Sequence, residues 1–164
     1  MAEALRDHLT ELTERQELYL LHMARHCLKS RGPLSFFRSF IVERNGEHRN
    51  KLDLKHQGMT PFVDFARVMA LKHHIRETNT LARFKALARG GYISGELASS
   101  ASEAYELQMQ LRLIHQLQQL EEGVEPDNHI DPSQMTELEK RMLKDSFSVI
   151  ERLHAVLNSI FPLS

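Results

Sequence analysis

The sequence predicts an all-α fold: an antiparallel helical bundle with a short extended arm or hairpin near residues 36–55. Long stretches repeat apolar residues three and four apart, Gly- and Pro-bearing breaks fall between them, and the connections are short. A chain of 164 residues, 41% hydrophobic and 26% charged, fits one globular domain with a real core, so residues 1–164 are read as a single helical-bundle domain. Its 21 basic and 22 acidic residues leave a net charge of −1, which gives no global field for nucleic acid or for an anionic membrane.

The first element is a long amphipathic helix over residues 3–29. Leu5, Leu9, Leu12, Tyr19, Met23 and Cys27 follow helical spacing, interrupted at Gln16 and stopped by Gly32-Pro33. The arm follows: FFRSFIV, then Asn45-Gly46 as a strong turn signal, then the alternating leucines of KLDLK. Its paired Phe36 and Phe37 pack either on the bundle or on a neighbouring domain. Next comes the most apolar stretch, Phe62 to Leu71, in which only Asp64 and Arg67 are charged. A short helix apolar on every side is a buried, central one, with Thr60 as its cap and Pro61 in its first turn. Asp64 and Arg67, three apart, either pair with each other or line a site.

Thr78 or Thr80 can cap the following helix, which carries Leu81, Phe84, Leu87 and Ala88 on one face and ends at Gly90-Gly91. Ser94 opens a second long helix running to about Glu122, where Gly123 and Pro126 break it. Asp131-Pro132 leads into the last helix, with a capping-box spacing at Thr136 and Glu139. Leu138, Met142, Val149, Leu153, Val156 and Ile160 form its expected apolar stripe.

The segment YELQMQLRLIHQLQQL holds a polar strip, Gln108, Arg112, His115 and Gln119, between two apolar faces. Such a strip binds a polar ligand or is satisfied by neighbouring helices. His22 and His26 have a metal-compatible spacing of four, yet no third ligand is evident, so no metal site is expected. His73-His74 complement a helix C-terminus. Lys51, Lys55 and His56, with Arg44 and Arg49, either bind phosphate or form a solvated arm. One cysteine, Cys27, excludes an intramolecular disulfide, the N-terminus lacks a signal-peptide layout, and no apolar run of about 18 residues can span a bilayer. A cytoplasmic location is expected, without membrane or nucleic-acid partners. Phosphate-cradling Gly-rich loops, a nucleophile elbow and the close carboxylates of two-metal nucleotidyl transfer are all missing from the pattern, so the chain is a poor candidate for a complete catalyst.

Five ordered blocks carry a family resemblance: LDLK at 52–55, PFVDFARVMAL at 61–71, IRETNTLARFKAL at 75–87, LRLIHQL at 111–117 and PDNHIDP at 126–132. Together, over roughly residues 20–160, the chain resembles the putative nucleotidyltransferase substrate-binding domain found at the C-terminus of bacterial signal-transduction proteins. The resemblance implies a helical bundle and an upstream nucleotidyltransferase domain like the uridylyltransferases that modify the PII protein, often preceded by cyclic-nucleotide-binding or CBS modules. Residues 1–20 would then be a linker helix from that domain, present in cis or as a separate subunit. No cofactor is expected in this domain itself, whereas Mg and a nucleoside triphosphate belong to the catalytic one; a protein substrate is a further candidate partner.

Lys55, Asp64, Arg67, Thr78, Asn79, Arg83, Arg112, His115 and Gln116 lie in the matching blocks. By the resemblance they would position a nucleotide phosphate or a substrate group, with Arg67, Arg83 and Arg112 lining a basic cleft by virtue of their forked donors. The alternative is a structural bundle that couples sensor domains to the catalytic domain and ties the same arginines into internal ion pairs. In that case Arg67→Ala would cost a few kcal/mol, about the cost of leaving Asp64 buried and unpaired.

Overall fold

A computed structural model of the chain describes residues 4, 5, 7, 8, 11, 17–29 and 40–161. Among them the helices are α1 (Glu17–Lys29), α2 (Thr60–Lys72), α3 (Thr80–Arg89), α4 (Gly95–Glu121) and α5 (Glu137–Ile160), and residues 4, 5, 7, 8 and 11 are helical as well. The fold is the expected all-α bundle. Whether one helix joins residues 3–29, and where Phe36 and Phe37 pack, falls outside the described residues. No described helix is long and apolar enough to cross a membrane.

The Phe62–Leu71 stretch is central, as its composition requires. α2 buries Phe62, Phe65, Ala66, Val68 and Met69 and packs against α1, α3 and α5. Phe65 stacks on Phe84 of α3, and the Phe62 ring lies beside Tyr105 of α4. Each such fully buried side chain contributes roughly 1.5–3 kcal/mol. Alanines 98, 101 and 104 form the buried face at the start of α4 and let it approach its neighbours closely.

Several element ends differ from the sequence reading, each for a local reason. Thr60 is not the cap of α2. A π-helical turn, Leu54–Met59, runs straight into that helix, and the Thr60 hydroxyl donates to the Lys55 carbonyl at 2.9 Å. Asn79, rather than Thr78 or Thr80, caps α3: its backbone is extended and its side-chain oxygen accepts from the Ala82 amide at 3.1 Å. Ser94 caps α4, and Thr136 with Glu139 forms the capping box of α5, both as expected. On α1 the inward face is Leu20, Ala24 and Cys27, while Tyr19 is exposed. On α5 it is Leu143, Phe147, Ile150, Leu153 and Leu157, with Leu138 and Met142 outside. In both helices apolar residues occupy two adjacent faces, of which the core takes one.

The arm contains the expected turn, but its strand pairs elsewhere. Residues 43–51 close into a loop through Glu43 N–H to Lys51 O at 2.9 Å and Asn50 N–H to Glu43 O at 2.8 Å. Gly46 and Asn50 take the left-handed backbone that such a turn needs, at φ +82° and +64°. Strand β1 (Leu52–Asp53) then pairs antiparallel with β2 (His129–Ile130), placing Leu52 opposite Ile130 and Asp53 opposite His129. This small ladder brings the 43–51 loop against the segment that follows α4.

Candidate functional site

The polar strip of α4 faces inward, and its apolar flanks are partly outside. Gln108 is fully buried, and its amide donates to the Ser146 hydroxyl at 2.9 Å. Further along, the strip covers the loop that leads to β2, whose backbone and side-chain groups need partners once out of water. Arg112 Nε donates to Asn128 Oδ1 at 2.6 Å and Gln116 Nε2 to the Asp127 carbonyl at 3.1 Å. Gln119 accepts from the Asp127 amide at 2.9 Å and donates to Asp127 Oδ1 at 3.1 Å. Apart from the buried Gln108 Oε1, which has no partner, the strip is a seam satisfied by the chain itself.

Asp127 is the hub of that seam. Its Oδ1 also receives the His129 amide at 2.9 Å and lies 3.1 Å from His115 Nε2. Burial alone would raise its pKa, but the bonds from His129, His115 and Gln119 prevail and lower it to about 2. Asp127 is thus a carboxylate, and His115 Nε2 is the proton donor to it. Asp53 behaves similarly: burial opposes ionisation, yet the amide and ring of His56 hold its pKa below the usual value. Beside the hub, His48 of the 43–51 loop stacks on His129 with ring centroids 3.5 Å apart and planes 4° from parallel. A cleft of about 490 Å³ runs along α4, walled by Lys51, His115, Gln119, His129, Asp131 and Glu139 among others, and by none of Arg67, Arg83 and Arg112.

A second polar group lies on α2 and α3. Arg67 pairs with Asp64 at 3.1 Å, and His26 Nδ1 is 4.0 Å from the other Asp64 oxygen. Arg83 donates from Nε to the Glu77 carbonyl at 2.8 Å. Burial, and then the nearby charge of Arg67, depresses the Arg83 pKa, so the two guanidiniums sit close enough to repel. Cys27 lies near Asp64, donating to the Pro61 carbonyl at 3.9 Å, its thiol pushed up to about 12 by burial and by the Asp64 charge.

The structure thus divides the nine sequence-predicted residues. Arg67 pairs with Asp64 and lies near Arg83, with Asn79 capping α3 and Thr78 exposed just before it. Arg112, His115 and Gln116 come together at the Asp127 loop, and Lys55 is exposed on the π-helical turn. The sequence reading did not find the neighbourhood of His48, Asp53, Asp127 and His129. The PDNHIDP block was visible, but the pairing of β1 with β2 that brings His48 and Asp53 to it was not. The sequence pattern described as "Putative nucleotidyltransferase substrate binding domain" matches residues 17–161. No curated protein and no solved structure matches the chain.

Proposed function

The chain belongs to the family of the putative nucleotidyltransferase substrate binding domain, and from that membership we propose that it is a non-catalytic module that holds a nucleotide phosphate or a substrate group for a nucleotidyltransferase domain. That catalytic domain, PII-uridylyltransferase-like and part of a bacterial signalling protein, is present in cis or as a subunit and brings its own Mg and nucleoside triphosphate. The observation that carries the reading is the Arg67–Arg83 pair: Arg67 is bound to Asp64, and its charge acts on Arg83, whose Nε is held by the Glu77 carbonyl. Two nearby forked cations and one carboxylate leave charge that a phosphate can take up. Thr78 and Asn79, at the start of α3, and Lys55 of the π-helical turn would supplement this contact. Arg112, His115 and Gln116 would act one step removed, by holding the Asp127 loop in place. Equilibrium binding of labelled nucleoside triphosphates tests the reading: Arg83→Ala should weaken binding about tenfold or more, one charge-assisted bond being worth roughly 1.5–3 kcal/mol. Unchanged affinity in a folded Arg83→Ala variant would remove Arg83 from the site.

One observation favours the second reading, a coupling bundle without its own ligand site. Met109, Leu113, Leu117 and Leu120 make an exposed apolar stripe along α4, with Leu113 57% and Leu120 59% exposed. A stripe at this spacing suits the helix of an adjoining domain. Leu113→Glu with Leu117→Glu should then abolish association with the nucleotidyltransferase domain while the bundle stays folded.

A further inference from the structure

Three electron-pair donors converge where the 43–51 loop, β2 and the Asp127 turn meet. Asp127 Oδ2 lies 3.7 Å from His48 Nδ1 and 3.7 Å from His129 Nδ1. Those distances are too long for hydrogen bonds, and both nitrogens are buried without a partner. The other Asp127 oxygen is already used by three donors, so it cannot turn to serve them. His129 Nε2 faces two carboxylates, Glu43 Oε1 at 3.4 Å and Asp53 Oδ2 at 3.8 Å. They hold its proton on Nε2 and leave Nδ1 as a lone pair. With a lone pair on each buried ring nitrogen, the two nitrogens and the partly exposed Asp127 oxygen repel one another. Placing a proton on both rings would instead stack two cations at the 3.5 Å centroid separation.

We propose that His48, Asp127 and His129 bind one first-row transition-metal dication, with zinc as the reference ion. The ligand atoms of these residues all lie within 4.8 Å of one another. Tetrahedral zinc with bonds of roughly 2.0–2.1 Å places its donors about 3.3–3.4 Å apart, so the Asp127-to-histidine spacings need close by only a few tenths of an ångström. Two imidazoles and one carboxylate suit a borderline metal and disfavour Mg or Ca, which take oxygen sets. Parallel rings direct their lone pairs side by side, so the stack must splay on binding. His48, on the loop, is the ring free to do so, because His129 is fixed by its strand and by Glu43. The ion would clamp the 43–51 loop to β2 beside the cleft, and the three-ligand set would leave a coordination position for water or a ligand atom. This site is separate from the Arg67–Arg83 contact, and either can fail without the other.

The full chain, stripped with a chelator, is titrated with zinc chloride by calorimetry and with cobalt(II) by visible absorption. The expected result is one equivalent bound, a cobalt spectrum typical of nitrogen and oxygen ligands, and movement of the His48 and His129 ring-proton signals as the stack opens. His48→Ala, a change in a partly exposed loop residue, should weaken uptake at least about tenfold, and Glu43→Gln about 10–100-fold, as is common when the carboxylate behind a metal-bound histidine is lost. A His22→Ala/His26→Ala variant controls for the exposed histidine pair on α1 and should bind as the parent does. Absence of saturable one-equivalent uptake, or uptake unchanged in His48→Ala, overturns the proposal. So does binding lost only in the His22→Ala/His26→Ala control.

Discussion

The Arg67–Arg83 face and the Asp127 hub are built from the same kinds of residues and differ in how their bonds are spent. At the hub one carboxylate oxygen receives three donors, and Arg112, Gln116 and Gln119 are all engaged by the same short loop. On the α2–α3 face Arg67 pairs with Asp64 and is 47% exposed, and its charge acts on the nearby Arg83. A polar group fully engaged by its own chain is a strut, whereas like charges left side by side at a surface are suited to a ligand. An arginine's place in a family pattern therefore does not fix its role; its existing partners do.

Removing the centre of the hub should have the largest effect on stability. Asp127→Ala strands the His115 ring, the Gln119 amide and the His129 N–H, and should cost roughly 2–4 kcal/mol in urea unfolding, since each orphaned buried group costs about 1–3 kcal/mol, reduced here by partial exposure. A loss comparable to that of a surface residue would remove the distinction between the two regions. Gly58→Ala comes next. A methyl there would lie 2.5 Å from Gln108 Oε1 and 3.1 Å from a Leu54 methyl, and Gln108 is held by Ser146, so overpacking should cost about 1–3 kcal/mol. An unchanged unfolding midpoint would mean that α4 has room to shift.

Arg67→Ala should be milder, within about 1 kcal/mol, because its pair with Asp64 is half open to water. That is well below the few kcal/mol expected if the pair were buried, and a loss of several kcal/mol would return Arg67 to the struts. The smallest effect concerns His154 on α5. Burial depresses its pKa below 6.5, against the opposing pull of Glu151. The unfolded chain therefore takes up this proton more readily, so the contribution of His154 is full above about pH 6.5 and declines as pH falls below it. His154→Gln should flatten the acid side of a melting-temperature profile, and an unaltered profile would show that the ring is not excluded from water.

Most of the bundle was legible because helical spacing and caps are local signals. Ser94, Thr136 with Glu139, and the apolar density of Phe62–Leu71 each specify their structure from within a few residues. What depended on distant partners was not legible. The π-helical turn displaced the start of α2, and α5 had two usable apolar faces from which only the core could choose. Arg112 could be placed on a polar strip, but its partner Asn128 lies on a loop that the strip had to find in space. His48 is separated from His129 by about half of the chain, so no spacing rule connects them; only the two-residue ladder of Leu52–Asp53 with His129–Ile130 does.

The contrast between the regions is tested most directly by thermal shift of the chain against nucleoside triphosphates with magnesium, comparing the parent with Arg67→Ala/Arg83→Ala and with Arg112→Ala. A site complete in this domain adds about 2.7 kcal/mol at a hundredfold excess over Kd. One nucleotide should stabilise the parent and fail to stabilise the double variant, while Arg112→Ala melts earlier but keeps the full shift. A shift that survives in the double variant, or that disappears with Arg112 alone, would contradict it.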